Sequence, residues 1–459
     1  MLNSKYLNRL KKLDSFFYAG AVLGVLMLIF HFPLKPTNDD FFFMAQSREF
    51  NLFPWLWMRY SGWSSRIVIE ATQWIVAKNF LIWKLLNITF ILLLYYFLSK
   101  IFIIKRSNKK MYWIVMLAIV CYPLFHLGTA GYMTTSIVYL WSLVFAVIAL
   151  YGMKKSLVGN KIHAWEYPVY VLSLLFAGNL EAMNIILLGI SALMVVYSFI
   201  NNRINYYLIS QLVVVFLMLV FILSHSGNAV RQAHEIATWY PDFEAYGLLE
   251  RIQLGYTSSL AHFMATPNVV FFGFAIILYL VVRLKYSRTL LRIIAAVPLV
   301  GYVLSLLVNL GFSYNPDLYY WISSVFRISS GVVLITADNF TQILYYIPLF
   351  VYSICFLCVL IAIYLCFKKD RFKAIFYVSL IGLGFLSRAI MGFSPTIWAS
   401  SYRTFIFFYF SFIICIIVLF QELIEYKPKR EGLLFGVLIT FSAISYVGSL
   451  ALREFFVIG

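Results

Sequence analysis

Two adjacent carboxylates, Asp39 and Asp40, stand in the segment KPTNDDFFFMAQSREF, just beyond an apolar run that closes at Leu34. A carboxylate at a water–lipid boundary is partly desolvated, which raises its pKa and makes it a better proton acceptor than a free aspartate. Adjacent side chains on an extended segment point apart, so at most one of the pair faces a substrate directly. The same residues also suit a solvated loop start, or a helix N-cap ahead of FFFMAQ, where Asp is favoured.

Arginines form the second group. Arg59 and Arg66 lie in WLWMRYSGWSSR, Arg231 in HSGNAVRQ, Arg327 in VFRISSG, and Arg388 and Arg403 flank MGFSPTIWASSYR. A guanidinium presents a planar fork suited to phosphate oxygens, and at membrane depth it is costly to leave unpaired. As a set they point to an anionic lipid phosphate. For any one of them a salt bridge or snorkelling is the default, and Arg66 with Glu70, four residues on, is such a pair. A third group stands at the ends of apolar runs: Asn179 and Glu181 in GNLEAMN, and His225 and Asn228 in HSGN. Glu181 falls where two runs meet with almost no loop, so pairing with an arginine is expected. His225, His234 and Glu235 lack the spacing of a metal triad, so neither a metal site nor a divalent cofactor is indicated. The chain has no P-loop, GxGxxG, HExxH or GxSxG.

These residues must be positioned by apolar elements. Of 459 residues, 63% are hydrophobic and 12% charged, about half the charge a soluble domain carries. The pattern predicts an all-α polytopic membrane protein, a single transmembrane domain over 1–459. Runs long enough for ~30 Å of hydrocarbon recur throughout and give about thirteen spans. Their limits are 14–34, 80–104, 111–128, 133–152, 164–178, 182–200, 206–224, 268–284, 293–311, 341–367, 374–391, 404–424 and 432–452. The first follows Lys5, Arg9, Lys11 and Lys12 and lacks a small-residue cleavage site, so it reads as a retained helix rather than a signal peptide. The five cysteines lie in apolar runs, and the Cys355/Cys358 pair has no further Cys or His nearby, so it reads as two small packing residues.

The net charge of +18 is one-sided. The N-terminus and alternate gaps, among them KRSNKK (105–110), KKDRFK (368–373) and EYKPKR (425–430), hold roughly 24 of the 36 Lys and Arg against about 6 acids. The positive-inside rule puts that face and the N-terminus in the cytoplasm, and leaves the opposite face near neutrality. Attraction to anionic membrane lipids accounts for such a charge without a nucleic-acid partner. The neutral, external face carries three long loops, 35–79, 225–267 and 312–340, and the short, polar 391–403. Within the first, RIVIEATQWIVAK sets Arg66, Glu70 and Gln73 on one helical stripe, as for a helix lying in the interface. Trp55, Trp57 and Trp63 suit the aromatic belt. Residues 248–264 predict another such helix, ended by Pro267.

An Asp pair closing the first span, followed by a Trp- and Arg-rich interfacial segment, resembles the GT-C superfamily of polytopic glycosyltransferases. More narrowly, NDDFFF, YSGWSSR, AGNLEAMN, HSGNAVR and SPTIWASSYR look like a largely unannotated bacterial family tied to cell-wall polysaccharide and O-antigen decoration. The DExRYA-like string of aminoarabinose transferases and the WWDYG of oligosaccharyltransferases are absent. The resemblance implies a first-loop acid as catalytic base and a sugar donor on a polyprenyl-phosphate carrier. It implies an inverting transferase in the plasma membrane with its site facing outside, acting on an extracytoplasmic glycan acceptor. Asp39 or Asp40 would be the base, Arg66, Arg231, Arg388 and Arg403 would hold the donor phosphate, and Glu181, Asn179, His225, Asn228 and Glu70 would support them. A polymerase of lipid-linked oligosaccharide units would share the long external loops and arginines. A flippase or transporter would need charged or polar residues near mid-membrane along several helices, and mid-span charges are nearly missing.

Overall fold

The structure, a computed structural model, describes residues 4–103, 109–309, 334–426 and 431–454. Among these, ten helices are long and apolar enough to cross a membrane. An eleventh is added if Leu248–Met264 and Val269–Lys285, bent by 77°, count as one span. The chain is a multi-pass protein, all-helical among the described residues, where ten or eleven such helices stand against the thirteen spans expected. Runs 111–128 and 164–178 supply only the helices Lys110–Val120 and Glu166–Gly178, of 11 and 13 residues. At 1.5 Å per residue these reach about 16 and 20 Å, short of ~30 Å of hydrocarbon. The first breaks ahead of Pro123, which has no N–H to continue the ladder. Run 268–284 is the second arm of the bent pair, with Pro267 at the corner and Asn268 capping the new helix through Phe271 N. The helix expected over 248–264 forms as Leu248–Met264. Most of the loop 312–340, with Arg327, lies outside the described residues.

Contacts group the chain into two compact units. The first comprises Met1–His234, Ser400–Phe407 and Gly432–Gly459. Its helices are keyed together by buried polar contacts. His31 donates from Nδ1 to Met27 O (2.8 Å), which leaves Nε2 to accept from Asn87 Nδ2 (2.7 Å), and Asn87 Oδ1 accepts from Trp141 Nε1 (2.8 Å). One buried chain of hydrogen bonds thus fixes the mutual register of Ser4–His31, Phe80–Phe102 and Tyr132–Leu157. The helix Glu431–Ala451 presents Ser442, Ser445 and Ser449, which bond Leu117 O, Cys121 O and Leu124 N. Small polar residues on one stripe let backbones approach closely where the hydrophobic effect gives helices no reason to associate.

The second unit comprises Glu235–Ala399 and Phe408–Glu431. Within it Tyr409 Oη meets His262 Nε2 (2.9 Å) and accepts from Asn268 Nδ2 (2.8 Å), securing the corner of the bent pair. Gly255 and Gly392 mark a backbone crossing: a Cβ on Gly255 would come within 1.9 Å of Ala389 O.

Candidate functional site

The first long loop folds into three short helices, Asp39–Glu49, Leu52–Gly62 and Ile67–Ala77. Their burial inverts the interfacial expectation for the third. Glu70 and Gln73 turn into the protein with Ile69 and Trp74, while Val68 and Ile75 are exposed. In an apolar surround the polar stripe is the one to hide, because protein groups can satisfy it and hydrocarbon cannot. The tryptophans divide likewise. Trp57 is exposed as a belt residue would be, but Trp55 is buried and donates from Nε1 to Gln46 Oε1 (3.0 Å).

The two adjacent aspartates have different environments. Asn38 stands at the N-cap position of the first of these helices without a side-chain capping bond, so Asp39 and Asp40 occupy its first turn, where the helix dipole favours negative charge. Asp40 is fully buried. Its Oδ1 accepts from Thr134 N (2.9 Å), and its Oδ2 from Thr37 N (3.2 Å) and Met133 N (3.5 Å). It thereby caps the start of Tyr132–Leu157 from a distant part of the chain. Gly131, with φ of +99°, makes room: a Cβ there would stand 2.4 Å from Asp40 Oδ1. Burial pushes the Asp40 carboxyl up to about 6, against the pull of those backbone N–H bonds. Asp39 is exposed. Desolvation raises its carboxyl above the usual range, and the charges of Arg403 and then Arg59 draw it part of the way back. Its backbone N–H donates to Ala130 O (3.2 Å), so both aspartates are tied to the segment 130–134 at the start of Tyr132–Leu157.

Arg59, one of the arginines of the loop but not among the four expected to hold the donor phosphate, is paired beside the aspartates. Its guanidinium grips Glu70 with two bonds, Nε to Oε2 at 2.6 Å and Nη2 to Oε1 at 3.0 Å. The rings of Trp63, Phe42 and Trp55 surround it at 5.4, 5.7 and 5.9 Å. Its place among aromatic residues in WLWMRYSGW is the sequence signal for this ring-lined setting. The expected Arg66–Glu70 pair does not form. Arg66 is the N-cap residue of Ile67–Ala77, outside helical geometry, so four-residue spacing does not align the two. Arg66 instead bonds Glu181 (Nη2 to Oε2, 2.7 Å), and Arg231 approaches the other oxygen at 3.9 Å. Glu181 is thus paired, as its position at a tight helix junction predicts.

Asn179 and Asn228 hold backbone. Asn179 Oδ1 accepts from Val68 N (3.1 Å) and Ile69 N (3.3 Å), capping Ile67–Ala77 across more than a hundred residues of sequence, and its Nδ2 donates to Ser65 O (3.1 Å). Asn228 Nδ2 donates to Ile222 O (2.7 Å). His225 is buried edge-on against the Tyr60 ring at 4.7 Å, and neither ring nitrogen has a hydrogen-bond partner among the described residues. Arg403 lies half-buried in the turn Ser401–Phe405, beside Tyr402, whose ring stacks on His126 at 4.7 Å.

Two non-glycine residues with positive φ frame these groups: Asn38 (46°), directly before Asp39, and Ser401 (45°), two residues before Arg403. Each such residue costs about 1–3 kcal/mol, held in place by its surroundings. Arg388 belongs to the second unit, where it is buried in the last turn of Arg371–Ala389 and donates from Nη2 to Ile397 O (3.4 Å). Among the described residues, no group of three His, Cys, Asp or Glu has the arrangement of a metal site.

The chain matches no model of a known protein family, no curated protein and no solved structure.

Proposed function

We propose that the protein is a membrane glycosyltransferase that moves a sugar from a polyprenyl-phosphate carrier to an extracytoplasmic glycan, with Asp39 as general base. The observation that carries this reading is the division of labour between the aspartates. Asp40 is committed to three backbone amides, whereas Asp39 is exposed, with a raised pKa and two arginines acting on it. A carboxylate so placed accepts a proton more readily than a free one.

In the reaction, the acceptor hydroxyl gives its proton to the Asp39 carboxylate as its oxygen bonds to the anomeric carbon. The bond from that carbon to the carrier phosphate breaks, and its electron pair leaves with the phosphate. Attack opposite the leaving group inverts the anomeric centre. Arg403 is within the electrostatic reach of Asp39, and Arg66 and Arg231 both converge on Glu181, so these three are the candidates to steady the departing phosphate.

Sugar transfer in vesicles from a polyprenyl-phosphate-linked donor tests the proposal. Asp39→Asn abolishes transfer while Asp40→Asn retains it, and the rate in the parent rises with pH as Asp39 loses its proton. Full transfer by Asp39→Asn would refute the mechanism.

A further inference from the structure

One turn of the first unit, 225–228, joins the helix Tyr206–Leu223 to the helix Gly227–Trp239 and carries three polar atoms without a hydrogen-bond partner among the described residues. They are Nδ1 and Nε2 of His225, a side chain 8% exposed, and Oδ1 of Asn228, and all three are closed to solvent. The turn lies on the end of Leu52–Gly62. His225 meets the Tyr60 ring, and the His234 ring stands edge-on to Trp63 at 5.4 Å. A Cβ on Gly227 would come 2.6 Å from His225 Cε1 and 2.9 Å from Trp63 N, so an approach this close requires glycine. Three residues beyond Asn228, Arg231 approaches Glu181, the carboxylate that Arg66 bonds.

A buried donor or acceptor left unmade is costly, and here three such atoms fall beside residues of the proposed reaction. Their chemistry narrows what would satisfy them. Asn228 Nδ2 donates to Ile222 O, which fixes the amide, so Oδ1 can only accept. The His225 ring offers one donor and one acceptor when neutral and two donors when protonated. In either state the set calls for a ligand that both donates and accepts. A phosphodiester only accepts and an ammonium only donates, whereas a hydroxyl does both. We infer that the turn 225–228 is a subsite for a polyhydroxylated ligand, a sugar ring, whose hydroxyls bond His225 and Asn228 when the turn lifts from Tyr60 and Trp63. Those two aromatic rings supply the apolar wall against which the sugar packs. That the ligand is a sugar rests on the transfer reading; that it carries several hydroxyls rests on the turn alone.

The test uses the full chain in phosphatidylcholine nanodiscs and saturation-transfer NMR with the methyl glycosides of glucose, galactose, mannose and N-acetylglucosamine, and with glycerol 1-phosphate as the lipid-headgroup arm. At least one glycoside binds the parent. His225→Phe keeps a ring against Tyr60 but removes both nitrogens. It weakens glycoside binding about 25-fold, at about fivefold for each hydrogen bond lost, while its thermal midpoint equals or exceeds the parent's because two unmade bonds are gone. A lowered midpoint would overturn the inference, since the nitrogens would then be bonded within the fold. Parent-like binding by His225→Phe would also overturn it, as would the absence of binding by every glycoside. Tighter binding of glycerol 1-phosphate than of any glycoside would overturn it in favour of a lipid headgroup. Binding is read without donor or transfer, so the two readings fail separately. Full transfer by Asp39→Asn refutes the reaction alone, and an inactive Asp39→Asn beside a parent that binds no glycoside refutes the subsite alone.

Discussion

Replacing Asp40 with asparagine separates the charge of the buried carboxyl from its shape. Its pKa rises from 3.8 to about 6 because burial outweighs the backbone donors. Below 3.8 both the folded and unfolded chains hold the proton, and stability does not change with pH through this group. Between 3.8 and about 6 only the folded chain holds it, so stability falls as pH rises, and above about 6 the loss is complete. At 1.36 kcal/mol per pH unit the loss is about 3 kcal/mol. Asparagine abolishes this dependence. Its single oxygen keeps the bond to Thr134 N, but its NH2 then faces the N–H groups of Thr37 and Met133, which costs about 1–3 kcal/mol for a buried donor left unmade. The two effects nearly cancel at neutral pH, whereas at pH 4 only the second applies. Thermal midpoints in detergent from pH 4 to 8 measure the difference between variant and parent. That difference moves in favour of Asp40→Asn by about 3 kcal/mol as pH rises. A difference independent of pH would refute the reasoning, since the carboxyl would then ionise as readily in the fold as out of it.

Arg59→Met strands the buried Glu70 carboxylate and destabilises by about 3–5 kcal/mol in thermal or denaturant unfolding, while the double change with Glu70→Met recovers most of that loss. Asn179→Ala removes the cap on Val68 N and Ile69 N and lowers stability by about 1–2 kcal/mol, and Asn179→Asp recovers the cap but not the bond to Ser65 O. Gly131→Ala combines positive φ with a Cβ 2.4 Å from Asp40 Oδ1, so it lowers the thermal midpoint by an amount equivalent to at least about 1–3 kcal/mol. A variant as stable as the parent would mean that the Asp40 cap yields easily.

The positive φ at Asn38 and Ser401 gives the site a structural cost. Both positions precede charged groups of the proposed reaction, Asp39 and Arg403. Holding the backbone there fixes where those charges stand, which is the contribution a protein makes to a reaction whose energetics turn on charge placement.

The sequence by itself determined that the chain is a helical, multi-pass membrane protein. Apolar runs of span length and scarcity of charge leave few other ways to satisfy the backbone in lipid. It also marked the first loop, because Asp39, Asp40, Arg59 and Arg66 are expensive residues beside so much apolar sequence. It overcounted the spans, since hydropathy registers an apolar stretch but not where Pro123 stops its helix, or that Pro267 joins two arms at a bend. The partners were decided by tertiary structure alone. Arg66 and Glu70 are four residues apart, yet each pairs elsewhere, with Glu181 and Arg59, because one stands at a helix cap and the other faces inward. Asp39 and Asp40 are chemically identical neighbours. What distinguishes them is the turn at 131–134, remote in sequence, whose amide groups take one carboxylate and leave the other exposed. Such a distinction depends on which backbone donors the fold brings near, and no local pattern of residues encodes it.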